Sequence, residues 1–186
     1  MISVILDSPV TSPEFVSQLR ALNGKIEAVK EQSFRDTLAC NDVQHVLDRL
    51  RIKAVTKIRE FVLQKIFSFR KPMTNYQIPQ NSLLKYKFFY QFLLCAERSV
   101  AQELRDQYVD TMSRIHFSYF KSYTSRLMKI QYPFESLFRS QHYALLDTSC
   151  REFSFLTEFF LVTGAAAQEL FNSVMGKTLT MFQGLF

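Results

Sequence analysis

Between Ser82 and Tyr132 the chain contains neither glycine nor proline. A backbone free of those two residues has nothing to interrupt its i to i−4 hydrogen bonds, so the stretch predicts one long helix from Asn81 or Ser82 to about residue 130. The rest is almost as sparsely punctuated, with four glycines and five prolines in 186 residues. That is too few for the recurrent turns of a sandwich or barrel, and no strand-period run or internal repeat occurs. The fold class expected is therefore all-α: an elongated bundle or rod of long antiparallel helices, preceded by the tail of a coiled coil.

The helix starts and stops can be placed from capping chemistry. Thr11, Ser12 and Pro13 form a start, with Glu14 at the positive end of the helix dipole. Phe15, Leu19, Leu22, Ile26 and Val29 then follow at spacings of four, three, four and three, which is a coiled-coil seam. Gly24 weakens the seam, and Ser33 and Asp36 end it, so residues 1–38 read as the end of a coiled-coil region. Residues 39–186 read as the helical bundle segment. Its first helix is expected over about 41–70, capped by Asn41 or Asp42, with Val43, Leu47, Leu50, Ala54, Ile58, Phe61, Val62, Ile66 and Phe69 along one stripe. Further helices are expected over 82–130, 134–162 and 165–182, bounded by Pro133 and by Thr163 and Gly164.

The 82–130 helix carries an unusual aromatic load: Tyr86, Phe88, Phe89, Tyr90 and Phe92 in one place, Phe117, Tyr119, Phe120 and Tyr123 in another. Apolar surface on more than one face requires neighbours on two sides. Helical spacing among Leu83, Leu84, Leu93 and Leu94 makes these core residues rather than a base-stacking platform, so nucleic acid is not an expected partner.

Candidate chemistry is thin. His45, His116 and His142 are far apart and fall in no ligand pattern, and the glycines at 24, 164, 176 and 184 cannot form a phosphate loop. No metal or cofactor site is expected. Asp106 and Asp110 lie one helical turn apart, but Arg98, Arg105 and Arg114 are near enough to pair with such a face, which reads as solvated. Cys150 beside Arg151 has no identifiable base and reads as a buried helical cysteine. Three cysteines, Cys40, Cys95 and Cys150, suggest no disulfide framework and fit a reducing compartment. No signal peptide is visible, and the apolar stretch from Phe153 to Ala167 is too short to span a bilayer. No catalytic residue is proposed.

The net charge of +6 is regional. From Arg49 to Lys71 there are eight basic residues against Glu60, with Arg49, Lys53 and Lys57 opposite the apolar stripe. The candidate interaction surface is Arg49, Lys53, Lys57, Arg59, Lys65, Arg70 and Lys71. It suits an anionic membrane surface or an acidic protein partner, and reads equally as the solvated face of a core helix.

Longer stretches are more specific. Val46 to Ile66 (VLDRLRIKAVTKIREFVLQKI), Ser68 to Gln80 (SFRKPMTNYQIPQ), Leu84 to Leu94, and Tyr132 to Arg151 with its FRSQHYALLD core resemble the vacuolar protein sorting-associated protein 52 family. The resemblance covers nearly the whole chain but only a middle segment of longer family members. It departs at Lys129 to Pro133, where a polar insertion separates the equivalents of Met128 and Tyr132, and again after Met181. The resemblance implies a non-catalytic subunit segment of the Golgi-associated retrograde protein complex and its endosomal recycling counterpart. Such a subunit tethers vesicles in retrograde transport from endosomes to the trans-Golgi network. The implied partners are the other vacuolar-protein-sorting subunits, a Golgi Rab GTPase and SNARE proteins. The implied location is the cytoplasmic face of trans-Golgi and endosomal membranes, with peripheral contact. The alternative is a peripheral membrane or acidic-partner module using the basic helix 49–71.

Overall fold

The structure, a computed structural model, describes residues 1–32, 38–71, 75–130 and 133–185, with the side chains of 32 and 38–42 outside the description. The seam's end at Ser33 and Asp36 lies outside it, as do the side chains of Cys40, Asn41 and Asp42, whose backbone is helical from residue 38, earlier than the expected start at about 41. Among the described residues there is no strand, as the scarcity of turn residues requires. The helices are α1 (Ile2–Asp7), α2 (Pro13–Gln32), α3 (Leu38–Ser68), α4 (Gln77–Lys85), α5 (Lys87–Ala96), α6 (Arg98–Leu127), α7 (Phe134–Phe159) and α8 (Gly164–Gln183). Among the described residues no helix is long and apolar enough to cross a membrane.

Two compact units result: residues 1–64 with 91–104, and residues 65–90 with 105–186. In the first, α1 packs on α2, and the seam residues Phe15, Leu19 and Leu22 are fully buried with Ile5. Ser12 caps α2 through its Oγ, which accepts the Phe15 amide at 3.1 Å. Ile26 and Val29 are only half-buried, which matches the decay of the heptad after Gly24. Leu47, Leu50, Ala54, Ile58 and Val62 of α3 are also buried, as are Phe92, Leu93, Ala101 and Leu104. Val43, expected on that stripe, is 52% exposed.

The second unit is an aromatic core. Tyr108 stacks on Phe155 at 5.1 Å and meets Phe69 edge-on at 5.9 Å, while Tyr90 meets Phe160 edge-on at 5.0 Å. Each such side chain contributes about 1.5–3 kcal/mol by burial, and the ring geometry adds to it. Helices α7 and α8 run antiparallel, with Phe153 against Phe171 at one end and His142 against Phe182 at the other. The turn between them needs two left-handed residues, Leu161 at φ 55° and Gly164 at φ 57°.

The expected 82–130 helix is three helices. The first, α4, begins earlier, at Gln77, and ends at Tyr86, whose amide turns back to the Leu83 carbonyl at 2.9 Å. The second break is at Glu97, whose carbonyl accepts the Val100 and Ala101 amides to start α6, while its Oε1 accepts the Ser99 hydroxyl at 2.8 Å. Neither break has a glycine or proline. Aromatic residues crowd several faces of this stretch, and a straight helix would bury only one face, so packing overrides local propensity. In α7, Leu145 and Phe155 are buried, while Leu146 is 64% exposed and Phe138 and Phe153 are each 39% exposed, so its apolar side chains fall on more than one face.

Candidate interaction surfaces

In the first unit the basic face of α3 divides by neighbour. Arg49 and Lys53 are exposed and carry no ion pair among the described residues. Lys57 turns inward: its Nζ donates to the carbonyls of Ile5 at 2.9 Å and Ser8 at 3.0 Å and sits over the Phe15 ring at 5.6 Å. Those carbonyls lie at the end of α1, where the dipole favours a cation and the last turn lacks intrahelical donors. Arg59 forms a two-point ion pair with Glu103, its Nε donating to Oε2 at 2.8 Å. That hydrogen bond lowers the Glu103 carboxyl below the usual range and raises the guanidinium. Arg51, outside the expected set, donates from Nη1 to the Ala96 carbonyl at 2.6 Å, at the end of α5. Thus Lys57 and Arg59 hold the unit together, while Arg49 and Lys53 face outward.

In the second unit, Arg70 donates from Nη2 to the Thr111 hydroxyl at 3.1 Å and lies over the Phe67 ring at 5.0 Å. Lys65 is half-buried and Lys71 exposed.

Sequence reading missed a buried polar network. Glu152 of α7 is 2% exposed and accepts three hydrogen bonds: from Tyr108 Oη at 2.6 Å, Gln80 Nε2 at 3.2 Å and His116 Nε2 at 3.1 Å. A carboxylate is acceptor-only, so His116 is assigned as protonated on Nε2, and its Nδ1 has no partner. Burial, followed by the Glu152 charge, raises the Tyr108 pKa well above the ordinary tyrosine range. A cavity of about 120 Å³ adjoins the network, bordered by Tyr76, Asp147 and Arg151. The arrangement ties α4, α6 and α7 together through a saturated acceptor. It offers no nucleophile, and no metal-holding cluster exists among the described residues. The signal was present. His116 falls in the every-fourth-residue series Leu104, Tyr108, Met112, His116, Phe120, and Glu152 lies seven residues from both Leu145 and Phe159.

The remaining candidates are ordinary. Asp110 pairs with Arg114 at 2.9 Å on an exposed face. His142 sits on Phe138, with its Nδ1 2.9 Å from that residue's carbonyl oxygen. Cys150, expected to be buried, is exposed. At 100° per residue it points about 200° away from Glu152 on the buried face of α7.

Comparison with known proteins adds the lineage. The coiled-coil description of the Vps52/Sac2 family matches residues 1–93, and the Vps52 C-terminal description matches residues 130–186. The "vacuolar protein sorting-associated protein 52 homolog" of Homo sapiens is 49% identical over 245 residues, covering 97% of this chain and 34% of the relative. The homologue of Caenorhabditis elegans is 31% identical over 250 residues, covering 97% and 36%. The "vacuolar protein sorting-associated protein 52" of Schizosaccharomyces pombe is 27% identical over 136 residues, covering 70% and 27%. No solved structure matches. The chain spans about a third of the length of these curated relatives. Since 97% of 186 residues is about 180, the human alignment over 245 positions leaves about 65 positions of the relative with no counterpart here. The departure expected at Lys129 to Pro133 falls where the second family match begins, at residue 130. Both family matches, and identity of 49% across nearly the whole chain, place this protein in the Vps52/Sac2 family.

Proposed function

We propose that this chain is a non-catalytic, helical scaffold segment of a multisubunit tethering complex, acting in retrograde transport from endosomes to the trans-Golgi network. The observation that carries the reading is the match to both Vps52 segments on one chain. The relatives' names place them in vacuolar protein sorting, and sorting by tethering asks for binding surfaces rather than a reaction centre. Residues 1–38 continue a coiled coil, and residues 39–186 supply the helical segment that companion subunits pack against. Tyr143 and Leu146, 75% and 64% exposed and three residues apart on one face of α7, support a surface built for partners. The partners are the other vacuolar-protein-sorting subunits, a Golgi Rab GTPase and SNARE proteins, met on the cytoplasmic face of trans-Golgi and endosomal membranes.

The second reading, a peripheral membrane or acidic-partner module, rests on the outward exposure of Arg49 and Lys53 in the first unit and of Lys71 in the second. The experiment that separates the two is affinity capture from lysate with the GTPase locked in its GTP or GDP form. Recovery of companion subunits and a GTP-dependent Rab supports the tethering reading. Recovery of neither, with salt-sensitive binding to anionic vesicles that Arg49→Glu/Lys53→Glu abolishes, supports the second.

A further inference from the structure

Two stretches of the chain contain no aspartate or glutamate: residues 61–96, with Lys65, Arg70, Lys71, Lys85 and Lys87, and residues 111–134, with Arg114, Lys121, Arg126 and Lys129. The fold of the second unit brings parts of both together. The end of α3 and Tyr76 meet one face of α6, leaving a shallow groove of about 390 Å³. Three cations, Arg70, Lys71 and Arg114, line it together with the hydroxyls of Tyr76, Tyr119 and Ser118. Phe69, 1% exposed, and half-buried Ile115 give it an apolar component. Among the described residues no carboxylate lines it.

We propose that this groove is a docking site for an acidic peptide segment of a partner protein, in which carboxylates flank an apolar anchor residue. Arg70 spends one of its five donors on Thr111, which fixes the guanidinium while leaving donors to meet a carboxylate. Arg114 is held by Asp110 across an ion pair whose side chains are 77% and 48% exposed. Such a surface pair contributes little and exchanges readily for a better-placed acceptor. The tyrosine and serine hydroxyls supply further donors, and Phe69 and Ile115 receive the anchor. The volume falls in the ~300–1,000 Å³ range of sites that enclose a multi-atom ligand, larger than a lone small anion fills. A concave groove with an apolar floor suits a peptide better than a flat membrane surface, which a protruding basic face would meet. The groove is independent of the tethering reading: it stands on charge and shape within one unit, whichever complex the chain joins.

The test uses the full chain and a fluorescein-labelled dodecapeptide that alternates glutamate with leucine and phenylalanine, read by polarisation. A lysine-for-glutamate counterpart and phosphatidylcholine/phosphatidylserine vesicles serve as comparisons. Saturable binding of the acidic peptide is expected, weakened at least tenfold by Arg70→Glu/Arg114→Glu and less than twofold by the charge-matched Arg49→Glu/Lys53→Glu. If circular dichroism shows that the double reversal unfolds the unit, Arg114→Ala alone is read, with a threefold or greater loss expected. Absence of peptide binding, equal loss in both double variants, or groove-dependent binding of vesicles but not of peptide would each overturn the proposal.

Discussion

Replacing Glu152 with alanine removes the acceptor on which Tyr108, Gln80 and His116 converge within 3.2 Å. Each donor left buried without a partner costs about 1–3 kcal/mol. The adjoining cavity of about 120 Å³ is large enough for a few waters. They offset part of the cost, so the expected loss is about 3–5 kcal/mol rather than the full sum. Glutamine keeps one oxygen acceptor but turns an N–H toward other donors, and the expected cost falls to about 1–2 kcal/mol. The chain has no tryptophan, so urea unfolding is followed by far-ultraviolet circular dichroism, with amide exchange in α4 and α7 to locate the effect. A double-mutant cycle with Tyr108→Phe sharpens the test, because a shared hydrogen bond gives a coupling energy of about 1–2 kcal/mol. A loss below about 1 kcal/mol for Glu152→Ala, or no coupling to Tyr108, would refute the reasoning that this network locks three helices.

Other outcomes follow from single contacts. Lys57→Met keeps the aliphatic stem but removes two hydrogen bonds to the end of α1; a loss of about 1.5–3 kcal/mol is expected, seen as faster amide exchange in α1 and α2. Read by thermal unfolding, Gly164→Ala should destabilise by about 1 kcal/mol because φ is +57° although nothing crowds a Cβ there, whereas Gly176→Ala, mid-helix with open space, should stabilise by about 0.5–1 kcal/mol. Tyr108 has a raised pKa in the folded state, so the folded protein holds its proton where the unfolded chain releases it. Stability is then fully present below the unfolded tyrosine pKa of about 10 and falls as pH rises above it; Tyr108→Phe should flatten that alkaline slope in pH-dependent urea titrations.

Local chemistry made most of the fold readable. Pro13 with Ser12, and Pro133, mark helix starts because a missing amide costs nothing in the first turn. The four-three spacing of Phe15, Leu19 and Leu22 identifies three residues that are fully buried. The breaks at Tyr86 and Glu97 were not readable, because they answer to where aromatic side chains pack and not to any local breaker. The short helix α1 was hidden for the opposite reason: its Ile5 is buried by packing on α2, a contact with no periodic trace in six residues. On the surface, charge density on α3 pointed to a basic face, but whether a given cation faces water or a helix terminus is a tertiary fact. Lys57 and Lys53 differ by one turn and are half-buried and exposed respectively. The acid-free stretches that form the groove were visible in the sequence, yet only the fold shows that Arg70 and Arg114 line the same cavity.

The central claim is that the chain works by being held among companion subunits. Coexpression with those subunits, followed by size-exclusion chromatography with multi-angle light scattering, measures this directly. The account predicts a co-eluting complex of defined stoichiometric mass, stable through dilution. Elution of this chain alone, cooperatively folded and at its own mass of 21.8 kDa, would contradict it.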